Sequence, residues 1–231
     1  MQTTNRSQSI ILNLLVITCL LTAIQPVSTQ DPAKPKPRRN VAIFIHEGVE
    51  LLDFAGPAEV FAAAKQGNAF NVYTVAATDA EITSQRFLKV RPQYTLENCP
   101  KPDIIVLPGG ITRIPLDDPK VMQWIKKTAP DTEVTMSVCT GAFLLAKAGL
   151  LDGKEATTHW SSIDRLKTAA PKTKVHADRR IVDNGQIITC AGVSAGIDGA
   201  LHLVERLHGK EVAEKTARYM EYRWEPVAKK E

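Results

Sequence analysis

Residues 136–160 read MSVCTGAFLLAKAGLLDGKEATTHW. The segment opens on a β-type apolar run that ends at Val138, and from Gly141 the apolar spacing turns helical, with Cys139 and Thr140 at the junction. Strand, small-residue turn and helix in that order form the unit from which parallel sheets are wound. A cysteine at the junction faces the unpaired N–H groups and the positive dipole end of the following helix, which favours its thiolate. By position alone, Cys139 is either a nucleophile carried on a turn or a small apolar residue closing a strand.

The same alternation extends to both sides. VAIFIH (41–46) reads as a buried first strand, PAEVFAAAKQ (57–66) as a helix with Pro57 in its first turn, FNVYTVAAT (70–78) as a second strand, and 81–91 as a short hairpin. PDIIVLPGG (102–110) is an apolar strand ending on two glycines, followed by the helix PKVMQWIKKTA and the strand EVTMSV (133–138). After residue 160 come a short helix SSIDRLKTA, strands near KVH, RRIVDNG and QIITC, a helix from Ser194 to His208 and one more in KEVAEKTARYMEYRW. The expected fold is α/β, with a mostly parallel central sheet covered on both faces. In such sheets ligands bind beyond the carboxyl ends of the strands, and HEGVELLDFAGP (46–57), PGG (108–110) and CTG (139–141) all fall at that edge.

Those segments supply the candidate site. Thr140 and Gly141 suit the tight turn behind a nucleophile, and backbone N–H groups there, joined by that of Gly110, are expected to hold an oxyanion. Gly109 leaves room for a ligand to approach the backbone. Asp53, flanked by Leu51, Leu52 and Phe54, reads either as a carboxylate that exchanges a proton with Cys139 or as a helix cap. Glu59 is a pocket candidate or a solvated first-turn acid, and His159 is a base for the cysteine or a structural histidine. No His/Cys cluster has metal-ligand spacing, so no metal is expected. A thiolate, a carboxylate and two N–H groups also need no organic cofactor.

The bulk composition sets outer bounds. With 231 residues, 44% of them hydrophobic and 23% charged, one domain is expected. The net charge of +4 owes much to Arg6, Lys34, Lys36, Arg38 and Arg39, which leaves the rest near neutral and unlike a nucleic-acid surface. Residues 1–30, polar around Arg6 and apolar from Ile10 to Ile24, have the layout of a secretory signal peptide, with an uncleaved anchor as the alternative. The expected location is therefore exported, periplasmic or secreted. DPAKPKPRRN (31–40) reads as an extended linker, 41–224 as the folded domain and 225–231 as a tail. Removing the signal leaves Cys99, Cys139 and Cys190, an odd number, so at least one is free or pairs between chains.

FIHEGVELLDFAGPAEVF, DIIVLPGG, SVCTGAFLLAKAGLLDGKEATTHW and GVSAGIDGALHLVERLHGKEVAEKTARYMEY, in this order, resemble the DJ-1/ThiJ/PfpI superfamily of class I glutamine amidotransferase-like proteins. The pair LLDFAGPAEVF and ATTHW is most similar to its isonitrile hydratase branch and to the sensing domains of AraC-type regulators. The resemblance implies a flavodoxin-like three-layer sandwich, a homodimer, and a nucleophile elbow at Cys139. It also implies Asp53 as the acid touching the nucleophile, Gly110 and Thr140 as oxyanion and turn positions, and His159 as the nearby histidine. The family's intracellular proteases carry a histidine after the nucleophile where this chain has Thr140, so proteolysis is not expected. The regulators add a helix-turn-helix domain for which little chain remains, so no nucleic-acid partner is expected. The activity implied is a cofactor-independent hydro-lyase acting on a small-molecule substrate, with no stable membrane association once the signal is cleaved. A redox-responsive sensor or stress protein, or a deglycase or glyoxalase-like enzyme, is the alternative.

Overall fold

Alternate side chains of the first strand pack into two different cores. Val41 and Ile43 join Val60, Phe61 and Leu201, whereas Ala42 and Phe44 join Val121, Ile125 and Leu144. Side chains alternate across a strand with period two, so a strand apolar at every position needs cover on both faces. The computed structural model describes residues 37–226. The expected signal peptide, the linker through Lys36 and the end of the tail lie outside them.

In chain order the strands are β1 (Arg39–Phe44), β2 (Phe70–Ala76), β3 (Ile82–Ser84), β4 (Leu88–Val90), β5 (Tyr94–Thr95), β6 (Ile104–Leu107), β7 (Val134–Val138), β8 (Glu155–Ala156), β9 (Lys174–Val175), β10 (Ile181–Asp183) and β11 (Ile187–Cys190). Seven of them form the central sheet in the order β10-β11-β7-β6-β1-β2-β5, parallel throughout except where β10 pairs antiparallel with β11. β3 and β4 make the expected hairpin. The helices are α1 (Leu51–Ala63), α2 (Arg113–Asp117), α3 (Pro119–Thr128), α4 (Ala142–Lys147), α5 (Ile163–Ala169), α6 (Ala195–His208) and α7 (Lys210–Tyr219). Buried residues of α1, α6 and α7 cover one face of the sheet and those of α3, α4 and α5 the other, which gives three layers. Burying side chains such as Phe44, Phe61 and Ile105 contributes about 1.5–3 kcal/mol each.

Two boundaries differ from the sequence expectation. β1 starts at Arg39, inside the expected linker, because Arg39 and Asn40 pair with Phe70 and Asn71 and the Arg39 guanidinium meets Glu133 at 2.5 Å. α1 starts at Leu51 rather than near Pro57, which sits inside the helix. Proline in a helix interior removes the bond to the carbonyl four residues back, here that of Asp53. Packing compensates, since Gly56 and Pro57 are buried and meet α6 at Ile197 and Gly196. The earlier start matters for the site because it places Asp53 in the first turn of α1, beside the carboxyl end of β6.

Candidate active site

Three neighbouring strands, β1, β6 and β7, deliver the site at one edge of the sheet. Cys139 directly follows β7 and has φ +58°, a left-handed conformation that is unfavourable for a residue with a side chain and persists where surroundings impose it. Its N–H donates to the Ala191 carbonyl at 2.8 Å, and its carbonyl accepts from Thr158 Oγ1 at 2.7 Å. Gly141 completes the turn against β6, where a Cβ would lie 2.0 Å from the Leu107 carbonyl oxygen. Gly141→Ala must therefore push the two backbones away from each other. A loss of about 1–3 kcal/mol or more is expected from the urea midpoint, and an unchanged midpoint would show that the elbow is not tightly seated.

Asp53 is fully buried and accepts from the Gly109 N–H at 2.8 Å through Oδ2. Oδ1 is buried with no hydrogen-bond partner within ordinary distance among the described residues, and the Cys139 thiol is the neighbouring group that interacts with the carboxylate. The helix-cap alternative for Asp53 is thereby set aside, since Glu50 occupies the cap position of α1. Burial raises the Asp53 pKa to about 7, with Glu50 adding to the rise and the Gly109 N–H and Cys139 opposing it.

The thiol departs from expectation. A thiolate favoured by the helix was expected, yet the Cys139 pKa is pushed up to about 12, first by burial and next by the Asp53 charge, while the N–H groups of Thr140 and Val193 pull it down. The helix that starts after the turn has only six residues, and the thiol of a cysteine only 7% exposed, beside a carboxylate, gains too little from it. The pair therefore rests as thiol with carboxylate, or with both protonated below pH 7, and ionises the sulfur only by moving a proton onto Asp53.

The two glycines after β6 serve the site differently from their expected roles. The Gly110 N–H donates to Thr140 Oγ1 at 3.1 Å and so is committed to the turn rather than open to an oxyanion. Gly109 anchors Asp53, and a Cβ on it would lie 2.6 Å from Thr140 Oγ1 and 2.9 Å from Asp53 Oδ2. The N–H groups that face the sulfur are those of Thr140 and Val193. Val193, like Cys139, has a positive φ, of 44°. Nothing local in GVSAG marks that N–H, because β11 brings it in through space.

His159 is half-buried and turns Nδ1 to the Ser161 hydroxyl at 2.8 Å, not to Cys139. Its ring packs on Gly192, where a Cβ would lie 2.4 Å from Cδ2. Nδ1 is thereby engaged by Ser161, and the ring walls the turn that carries Val193. Glu59 is exposed on α1 and drops out of the pocket. Thr158, which sequence reasoning passed over, pins the elbow carbonyl. Cys99, Cys139 and Cys190 are all free. Among the described residues, no group of three or more His, Cys, Asp or Glu side chains is placed to hold a metal ion.

A buried thiol sharing a proton with a buried carboxylate, with two N–H groups at the sulfur, can attack a small electrophile, shuttle one proton and hold developing charge. The sequence model of the DJ-1/PfpI family matches residues 39–206. The chain is 35% identical over 183 residues to the isonitrile hydratase of Pseudomonas putida, covering 79% of this chain and 78% of that protein. It is 29% identical over 168 residues to the HTH-type transcriptional regulator CdhR of Pseudomonas aeruginosa, covering 72% of this chain and only 50% of the regulator. The crystal structure of a ThiJ/PfpI family protein from Pseudomonas syringae superposes with a TM-score of 0.75 at 28% identity, covering 85% of this chain and 82% of that one. On the match across 39–206 and the shared fold, the chain belongs to the DJ-1/PfpI family.

Proposed function

We propose that the protein adds water to a small isonitrile, using Cys139 as nucleophile and Asp53 as the single proton carrier. The observation that carries this reading is the buried Asp53 carboxylate, anchored by Gly109 and shared with the thiol, with its pKa near 7. Such a group is matched to giving and taking protons near neutral pH. The likeness to an isonitrile hydratase across about four-fifths of both chains supports the choice of electrophile.

In the first step the Cys139 sulfur bonds to the terminal isonitrile carbon while Asp53 takes the thiol proton and passes it to that carbon. The product is a thioimidate, R–N=CH–S–Cys. Water then adds to the same carbon, and Asp53 carries its proton to nitrogen. Finally the C–S bond breaks with its electrons going to sulfur, and the hydroxyl proton travels through Asp53 back to the thiol, leaving R–NH–CHO. The N–H groups of Thr140 and Val193 steady the sulfur when it is anionic, and preorganised donors of this kind are worth about 2.7–4 kcal/mol each. The reaction consumes only the isonitrile and water.

The test is direct. Mature protein mixed with an alkyl isonitrile is expected to yield the N-alkyl formamide, followed by its formyl proton in NMR. Formation of lactate from methylglyoxal with no formamide would favour the glyoxalase-like alternative instead. The signal-like run from Ile10 to Ile24 supports placing this activity outside the cytoplasm, and the mass of the exported chain's N-terminus would test that.

A further inference from the structure

The proposed chemistry leaves His46 idle, although it is only 6% exposed and lies two residues past β1, in the loop that leads to the site. Its ring lies 5.8 Å from that of Phe44, and Nδ1 is 3.0 Å from the Glu47 carbonyl oxygen. Nε2 is buried with no hydrogen-bond partner among the described residues. The carbonyls of Pro108 and Gly109 face the ring as well, and the Glu47 carboxylate is the charged group felt there. All of these neighbours are acceptors. Burial nevertheless holds the histidine pKa below its usual value, so at neutral pH the ring carries one N–H to divide between Glu47 and the Pro108–Gly109 backbone. A buried polar atom left short of a partner calls for an explanation.

The backbone that His46 faces is the segment that holds the catalytic pair. Gly109 donates to Asp53 at 2.8 Å, and Gly110 to Thr140 at 3.1 Å. The same turn is zipped to the loop after β1: Glu50 N–H donates to the Gly109 carbonyl at 3.1 Å and Ile111 N–H to that of Gly48 at 3.0 Å. Gly110 also bridges Val49. A displacement of this turn therefore acts on the Gly109–Asp53 bond.

We propose that His46 is a positioning residue, whose imidazole, wedged between Glu47 and the Pro108–Gly109 backbone, fixes the turn that aims Asp53 at Cys139. The proposal rests on the Cys139–Asp53 pair and not on the electrophile, so it stands or falls apart from the hydratase reading.

The test titrates the Asp53 carboxyl carbon by NMR in the full chain, with the signal assigned by its loss in Asp53→Asn. His46→Phe keeps the ring volume against Phe44 and removes both nitrogens, whereas His46→Gln returns an N–H at similar reach. Loss of the Gly109 bond removes a group that favours the carboxylate, so the Asp53 midpoint in His46→Phe is expected to rise by about half to one unit, with His46→Gln close to the native value. An unshifted midpoint in His46→Phe would overturn the proposal. So would an equal shift in both variants, which would assign the effect to packing. Should His46→Phe fail to fold, His46→Asn replaces it as the variant lacking the far nitrogen, and an unshifted midpoint there overturns the proposal in the same way.

Discussion

Asp53→Asn is expected to lower hydration of the isonitrile by about 10²–10⁴-fold, the range over which a positioned general acid–base group acts, and at the same time to make the protein more stable above pH 7. The two effects share one cause. The Asp53 pKa is raised from 3.8 to about 7 in the folded chain, while in the unfolded chain it is near the ordinary value. Below about pH 4 both states hold the proton and nothing is lost. Between about pH 4 and 7 the unfolded chain releases it and the folded chain keeps it, so the stability associated with Asp53 falls as pH rises, by up to about 4 kcal/mol in all. Asparagine does not titrate, and its carbonyl can still accept from Gly109. The variant should therefore gain on the native protein as pH climbs from 5 to 8, measured by urea midpoints at both ends. A native protein that instead gains on the variant over that interval would show that Asp53 is ionised and well solvated when folded.

Cys139→Ala should remove formamide production to below about 10⁻³ of the native rate, because the carbon then has no sulfur to bond and nothing else in the site replaces it. Fold and stability should change little, since the thiol is a small buried group and alanine keeps its Cβ in place. Circular dichroism would check the fold and NMR the product. The Asp53 midpoint should rise further in this variant, because the Cys139 bond is one of the groups that favour its carboxylate. Turnover surviving in Cys139→Ala would rule out the covalent route and leave Asp53 acting on water alone.

Much of the site was legible along the chain. Cys139, Asp53 and the Gly109–Gly110 turn each follow an apolar strand or open a helix, and such local patterns fall at the carboxyl edge of a parallel sheet wherever it is wound. Other features were open to misreading because local pattern is shared by unlike places. Pro57 suits a first turn by propensity, yet burial against Ile197 and Gly196 holds it inside a helix that begins six residues earlier. Glu59 and Asp53 are both acids in the same helix, and only packing turns one to solvent and the other to the sulfur.

Residue order was enough to establish the α/β alternation, the position of the cysteine between strand and helix, and the family motif that binds these segments together, because each depends on residues close in the chain. Packing in three dimensions was needed to establish which N–H groups face the sulfur, that Gly110 serves Thr140, that His159 turns to Ser161, and that the thiol pKa rises instead of falling. Those outcomes depend on burial and on charges brought together from β1, β6, β7 and β11. Electrostatic cost follows distance and access to water, and neither is written in residue order.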